Sequence, residues 1–293
     1  MEKLKIINFS ERALKKFPEL QLSNKIVNTE AKLYVYKEKT KWQKEDKLLK
    51  IFYNSEPENM ANKVFVLGQL MQLKKRIQFE ELVFPEALVS VNQIVVGYVM
   101  PWIRENINMS LLLQNKNVSL QDKIGYLKQI YLILKDLKVK QKKENNPFYL
   151  GDIHESNFIF NIDSQKIQAI DLDSGYFLGA LAPTSKFLTF NENLWNYSIK
   201  YPIDIRNDRH IPNDNTTILS FIYMFLNTIS ESKSYKWNYE QFYTYLEFLY
   251  RENVDPEFLD VLSSIYSDEP TINFHEKYLE SFDVERNYVL QRK

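Results

Sequence analysis

Apolar positions alternate with polar ones early in the chain and recur at helical spacing later. "KLYVYKE" (32–38) and "KLLKIFY" (47–53) are β-rich, and the charged "KTKWQKED" before the second predicts a turn. Residues 57–73 place Val64, Leu67, Leu70, Met71 and Leu73 on a helical stripe. Two further strands are predicted over 82–90 and 93–101, where Pro101 lacks a ladder donor and should end the second. Beyond Pro101 the pattern becomes mainly helical. Ser119 is an N-cap candidate for a helix over 119–143, with Ile124, Leu127, Ile130, Tyr131, Leu134 and Leu137 as its apolar stripe. Short strands over 157–162 and 166–172 flank the turn "DSQ", and 174–213 lacks clear periodicity and reads as a long loop. Helices resume at 215–229, about 238–250 and 256–267. Residues 8–20 read as a short helix that either docks on the first lobe or recruits a partner.

Composition narrows the function classes. The chain has 293 residues, 44% of them hydrophobic, enough for one large domain or two small ones. Its 38 basic and 38 acidic residues cancel, so no global charge draws it to nucleic acid or a membrane. The absence of cysteine excludes disulfides, thiolate metal sites and cysteine nucleophiles. No apolar leader stands at the start, and "ILSFIYMFL" (218–226) is too short to span a bilayer. These features together predict a soluble, cytoplasmic protein.

Three polar features interrupt apolar runs. Lys50 lies among Leu48, Leu49, Ile51 and Phe52, where by itself it reads as an exposed lysine on a two-faced strand. Asp152 and Asn157 in "GDIHESNFIF" (151–160) stand at the mouth of an apolar strand, where such residues also close turns through side-chain to backbone bonds. In "AIDLDSGYF", Asp171 and Asp173 alternate with apolar residues, so a strand would point both carboxylates the same way. Like charges on one face repel unless a cation lies between them.

Taken in order, these features resemble the protein kinase-like superfamily. "GDIHESNFIF" is similar to the catalytic loop of its G-D-x-H-x-x-N branch, which includes small-molecule kinases and divergent bacterial Ser/Thr kinases. "AIDLDS" resembles the metal-binding segment, "LLKIFY" the strand with the ATP-clamping lysine, and "VVGYVMPWI" (95–103) the last N-lobe strand and hinge. The resemblance implies an α+β, bilobal protein kinase-like fold. A β-rich N-lobe with its N-terminal extension would occupy 1–103, and a helical C-lobe 104–293. It implies an ATP- and Mg2+-dependent phosphotransferase, a Ser/Thr protein kinase acting on a protein hydroxyl. Its alternatives are a pseudokinase serving as a nucleotide-binding or scaffold protein and, less favoured, a small-molecule kinase.

The resemblance also assigns roles. Lys50 would hold the α- and β-phosphates, Asp152 would be the base, and His154 takes the place of a lysine that often touches the transferred phosphate. Asn157 and either Asp171 or Asp173 would hold the metal; Asp171 is favoured because Leu172 then replaces the family's phenylalanine. Backbone near Met100 and Trp102 would meet the adenine, with Ile26, Leu48 and Ile159 as apolar walls. Asp214, opening the apolar stretch 214–226, resembles the acid that anchors the catalytic loop. Three departures stand out. No glycine occurs between Ser23 and Val35, the helix over 57–73 has no central acid to pair with Lys50, and Gly151 replaces the arginine before Asp152.

Overall fold

The computed structural model describes residues 4–20, 30–39, 44–55, 57–189, 191, 193–194, 201–267 and 272–290. It is a mixed α and β structure in which a mainly antiparallel sheet precedes a mostly helical stretch. Strand β1 (Ile6–Phe9), helix α1 (Glu11–Leu14), β2 (Ala31–Lys39), β3 (Lys44–Phe52), α2 (Pro57–Ile77), β4 (Ala87–Val91) and β5 (Ile94–Pro101) come first. Next are β6 (Asn106–Asn108), α3 (Met109–Leu113), α4 (Leu120–Lys140), β7 (Phe158–Asn161), β8 (Lys166–Ala169) and α5 (Lys186–Thr189). The last are β9 (Ile203–Asp204), β10 (Arg209–His210), α6 (Asp214–Ser230), α7 (Tyr239–Arg251), α8 (Pro256–Ser263) and α9 (Lys277–Glu280). Two compact units result: Met1–Asn106 with Asn161–Ser164 and Gln168–Asp173, and Ile107–Phe160 with Gln165–Ile167 and Ser174–Lys293.

In the first unit the strand order is β1-β4-β5-β3-β2, with β1 parallel to β4 and the other pairs antiparallel. Both faces of the sheet are covered. Met60, Leu67 and Met71 of α2 pack with Ala31, Phe52, Leu88 and Tyr98. Leu49, Ala87, Val89 and Val99 form the other layer, beneath Phe9, Leu14 and Phe17 of the N-terminal segment. Covering on both sides explains why all five residues of β4 are buried rather than alternating. Residues 8–20 therefore dock on the sheet: Ser10 caps α1, and Phe9, Phe17 and Tyr36 meet edge to face at 5.3–5.7 Å.

The second unit is built around α6, whose side chains from Leu219 to Leu226 are all buried. A helix apolar on every side needs neighbours all round. Tyr131 of α4 and Phe274 pack on Phe221, while Phe258 of α8 and Phe282 pack on Phe225. Asp214 opens α6, but its carboxylate is half exposed and pairs with Lys138 at 2.6 Å. The helix cap comes instead from Asn213, whose side chain accepts the Thr216 N–H. Asp214 thus makes a surface ion pair rather than the loop anchor expected of it. Among the described residues, no helix is long and apolar enough to cross a membrane.

Several boundaries differ from the periodicity. The strand expected over 82–90 begins only at Ala87, because Phe84 and Pro85 follow an isolated bridge from Leu82 to Ala169. The strand expected over 166–172 stops at Ala169, and Asp171 takes a left-handed backbone conformation, φ 63°. Inside the expected loop 174–213 lie α5 and the β9–β10 hairpin, too short to show a period.

That hairpin carries an acid-sensitive lock. The buried Asp204 carboxylate accepts hydrogen bonds from the Arg206 side chain and from the Ala182 N–H. The Arg206 bond holds Asp204 down to about 2, below the ordinary value of 3.8. A folded-state pKa below the unfolded one means that the unfolded chain takes up the proton first as pH falls. Its contribution to stability is complete above about pH 4 and is lost as pH falls through about 2. Urea titrations across that window should show stability falling more steeply for the wild type than for Asp204→Asn. Parallel pH profiles would refute the lock.

Candidate functional site

Lys50 does not lie on an exposed strand face. It pairs across the sheet with Leu33 on one side and Tyr98 on the other, and its side chain keeps 2% of its surface. A buried ammonium must be neutralised and hydrogen-bonded. Here it donates to Asp171 Oδ1 and, at 2.8 Å, to Asp173 Oδ1. These residues lie more than a hundred positions apart in sequence.

The two carboxylates converge differently from the alternation expected of a strand. The chain leaves β8, turns at the left-handed Asp171 and enters a 3-10 turn over Leu172–Ser174 with Leu172 buried. Aspartate tolerates the left-handed region better than most residues. The turn, rather than a strand of period two, brings both acids to one ammonium.

Asp173 is fully enclosed and has a donor at every turn. Oδ1 accepts from Lys50 and from the Tyr98 hydroxyl at 2.7 Å, and Oδ2 accepts from Lys63 of α2 at 2.9 Å. Lys63 also meets Glu30 at 2.8 Å and lies 4.6 Å from the Phe52 ring centroid. Burial alone would raise the Asp173 carboxyl, but the Lys50 and Lys63 charges outweigh it and hold Asp173 well below the usual range. Asp171 keeps 32% of its side-chain surface. Desolvation outweighs the Lys50 charge and, with Asp173 adding repulsion, pushes the Asp171 carboxyl up. Burial lowers Lys50, yet the paired acids overcome that and hold it above its ordinary value.

Other first-unit residues named from the sequence fall along β3 and β5. Leu48 is buried and stands opposite Met100, whose side chain packs on the α2 layer. Trp102 follows β5, and the Arg104 guanidinium lies 5.1 Å from its ring centroid. Ile26 lies outside the described residues. Gly97 faces Ile51 in the same ladder, where a Cβ would lie 2.0 Å from the Lys50 carbonyl. That glycine lets β5 approach the strand that carries Lys50.

The second unit holds the loop 151–157. Asn157 donates its amide to the Asp152 carbonyl at 2.8 Å, which leaves its oxygen as the atom suited to a cation. Asp152 Oδ1 accepts the Lys186 N–H at 2.7 Å, and His154 Nε2 stands 3.3 Å from Oδ2. His154 Nδ1 accepts the Ser156 N–H, so the ring proton belongs on Nε2, facing Asp152. The Lys186 ammonium donates to Glu155 at 2.7 Å. Burial would raise Glu155, but the Lys186 charge and hydrogen bond hold it below its usual range. Ile159 follows in β7 and is buried.

Gly151 explains why no arginine precedes Asp152. A Cβ there would lie 2.4 Å from the Ser174 carbonyl and 2.2 Å from Pro183 Cγ, so no side chain fits. Gly151→Ala should cost about 1–3 kcal/mol, as overpacking does, and should displace the Asp152 loop. Urea unfolding measures the cost, and an unchanged midpoint would contradict the close approach.

The structure therefore brings Lys50, Asp171 and Asp173 together in one unit, and Asp152, His154 and Asn157 together in the other. Sequence reading passed over Lys63, Tyr98, Glu155 and Lys186. A signal existed for Lys63: it lies three positions after Met60 and four before Leu67, on the buried stripe of α2. Among the described residues, no three His, Cys, Asp or Glu side chains gather to hold a metal by themselves. Compared with known proteins, the sequence matches no family model and no curated protein.

Proposed function

We propose that this chain is an ATP- and Mg2+-dependent phosphotransferase with a bilobal protein kinase-like fold, a divergent Ser/Thr protein kinase acting on a protein hydroxyl. One observation carries the reading. The lysine named as the phosphate clamp is buried and ion-paired with Asp171, the acid named as the metal ligand, 121 residues further along the chain. Core packing alone does not require a buried lysine on a central strand. A chemistry that needs one fixed cation beside one carboxylate does.

The donor set suits Mg2+, which prefers hard oxygens and is commonly held by one or two carboxylates plus substrate phosphates. Asp173 has its oxygens filled by Lys50, Tyr98 and Lys63, which disfavours it as a ligand. Asp171 retains exposed surface and Asn157 has an uncommitted oxygen, so each keeps the ligand role that the resemblance implies for it. Mg2+ held by these residues would supply charge neutralisation for the transferring phosphate.

The protein's own groups then divide the work. Lys50 exchanges part of its Asp171 contact for the α- and β-phosphates. Asp152, fixed by the Lys186 N–H and the His154 ring, orients the acceptor hydroxyl and takes its proton. His154 is assigned here to holding Asp152. The hydroxyl oxygen bonds to the γ-phosphorus as the bond to the β–γ bridging oxygen breaks, releasing ADP. Met100, Trp102, Leu48 and Ile159 are assigned to the adenine side, and Ile26 keeps the role implied by the resemblance.

A nucleotide-binding scaffold without turnover is the second reading. The observation that favours it is a lysine, Lys63, where the helix would be expected to carry an acid. Thermal unfolding with ATP, with and without Mg2+, tests the binding shared by both readings. At about one hundred times the dissociation constant, ATP with Mg2+ should add roughly 2.7 kcal/mol of stability, with a smaller gain when Mg2+ is chelated. No shift in either condition would remove both readings.

A further inference from the structure

We infer that Asp173, clamped by Lys63 and Tyr98, is the acid that positions Lys50, so that holding the phosphate-clamping lysine requires no acid on helix α2. The inference rests on the phosphotransferase reading for the role of Lys50 and on geometry for the clamp. A lysine that binds phosphates needs a carboxylate to fix its ammonium in one rotamer. The expected source, helix α2, supplies Lys63, a residue of the wrong sign for that task. Asp173 reverses the arrangement. It lies on the segment after β8, is completely enclosed, and binds Lys50 at 2.8 Å and Lys63 at 2.9 Å.

Each partner of Asp173 has a separate anchor. Tyr98 sits in β5 directly opposite Lys50 in the ladder and donates its hydroxyl to the same carboxylate oxygen that Lys50 uses. Lys63 is steadied by Glu30 at 2.8 Å and by the Phe52 ring. The carboxylate is thus held from the sheet and from the helix. Asp171 is left as the acid able to release Lys50 and face a cation. Lys63 and Tyr98 act through Asp173 and are positioning residues. The consequence is regulatory: the acid that orients Lys50 travels with the metal-binding segment. Moving α2 would withdraw a supporting lysine rather than the pairing acid.

Moving the charge tests the inference. Asp173→Asn should raise the KM for ATP by about tenfold or more, and Lys63→Glu combined with Asp173→Asn should recover it to within about threefold of wild type. The double variant returns one acid to the cluster, now on the helix. A purely structural role would lower the folded fraction, reducing apparent kcat while leaving KM unchanged. An unchanged KM in folded Asp173→Asn, or a double variant as impaired as the single one, would overturn the proposal. A nucleotide-free arm separates its failure from that of the phosphotransferase reading. In urea unfolding, Asp173→Asn should destabilise strongly and Lys63→Met should offset part of that loss, because the lysine no longer lacks its acid. Additive effects would overturn the clamp whether or not the protein uses ATP. Coupled effects in a protein that ignores ATP would support the clamp and remove only the phosphotransferase reading.

Discussion

Replacing Asp152 by alanine is expected to lower kcat for phosphotransfer by about 10²–10⁴-fold, the range that a positioned general base supplies, with little change in ATP affinity. The expectation follows from how the side chain is held. Its Oδ1 is fixed by the Lys186 N–H, and the His154 ring approaches Oδ2, so the carboxylate is aimed by two neighbours. Removing it would delete the proposed proton acceptor but leave Lys50 and its acids untouched. The backbone carbonyl that holds Asn157 also remains. Steady-state kinetics with ATP titrated over both proteins would separate kcat from KM. Equal kcat in the two would remove Asp152 as the base.

Lys50→Met is expected to destabilise the fold by about 3–5 kcal/mol and to abolish the ATP-dependent thermal shift. The methionine matches the lysine stem in size, so the cost comes from charge rather than volume. Asp173, fully enclosed, would keep Lys63 and Tyr98 but lose its shortest cation contact, and Asp171 would lose its partner. Adding Asp171→Asn should recover part of the loss, because an unpaired buried carboxylate costs more than an amide. Urea unfolding of the single and double variants measures both effects. A single variant as stable as wild type would show that Lys50 is not the neutralising centre of this cluster.

Much of this was legible because periodicity reports which face of an element is buried. The long helix α4 follows its apolar stripe, the central helix α6 is buried along its continuous apolar stretch, and Ser119 caps α4 as its position implied. The elements that escaped are short or depend on partners distant in sequence. Strand β1 pairs parallel with β4 some eighty residues on, and nothing in "IINF" announces that partner. The site was legible in composition more than in geometry. Lys50, Asp171 and Asp173 drew notice as charges within apolar runs, yet a left-handed turn at Asp171 brings the two acids together. Lys63 was overlooked because a lysine on a helix reads as a solvated face, and only its place on the buried stripe marks it otherwise. Lys186 contributes a backbone N–H to Asp152, a contact no side-chain pattern encodes.

The most direct test of the central claim is label transfer by the purified protein, using ATP labelled at the γ- or the α-phosphate, with Mg2+ or with chelator. The account predicts γ-label on serine or threonine, in this chain or in an added protein acceptor, dependent on Mg2+ and lost in Asp152→Ala. Label arriving from the α-phosphate, or no transfer by protein that binds ATP, would contradict it.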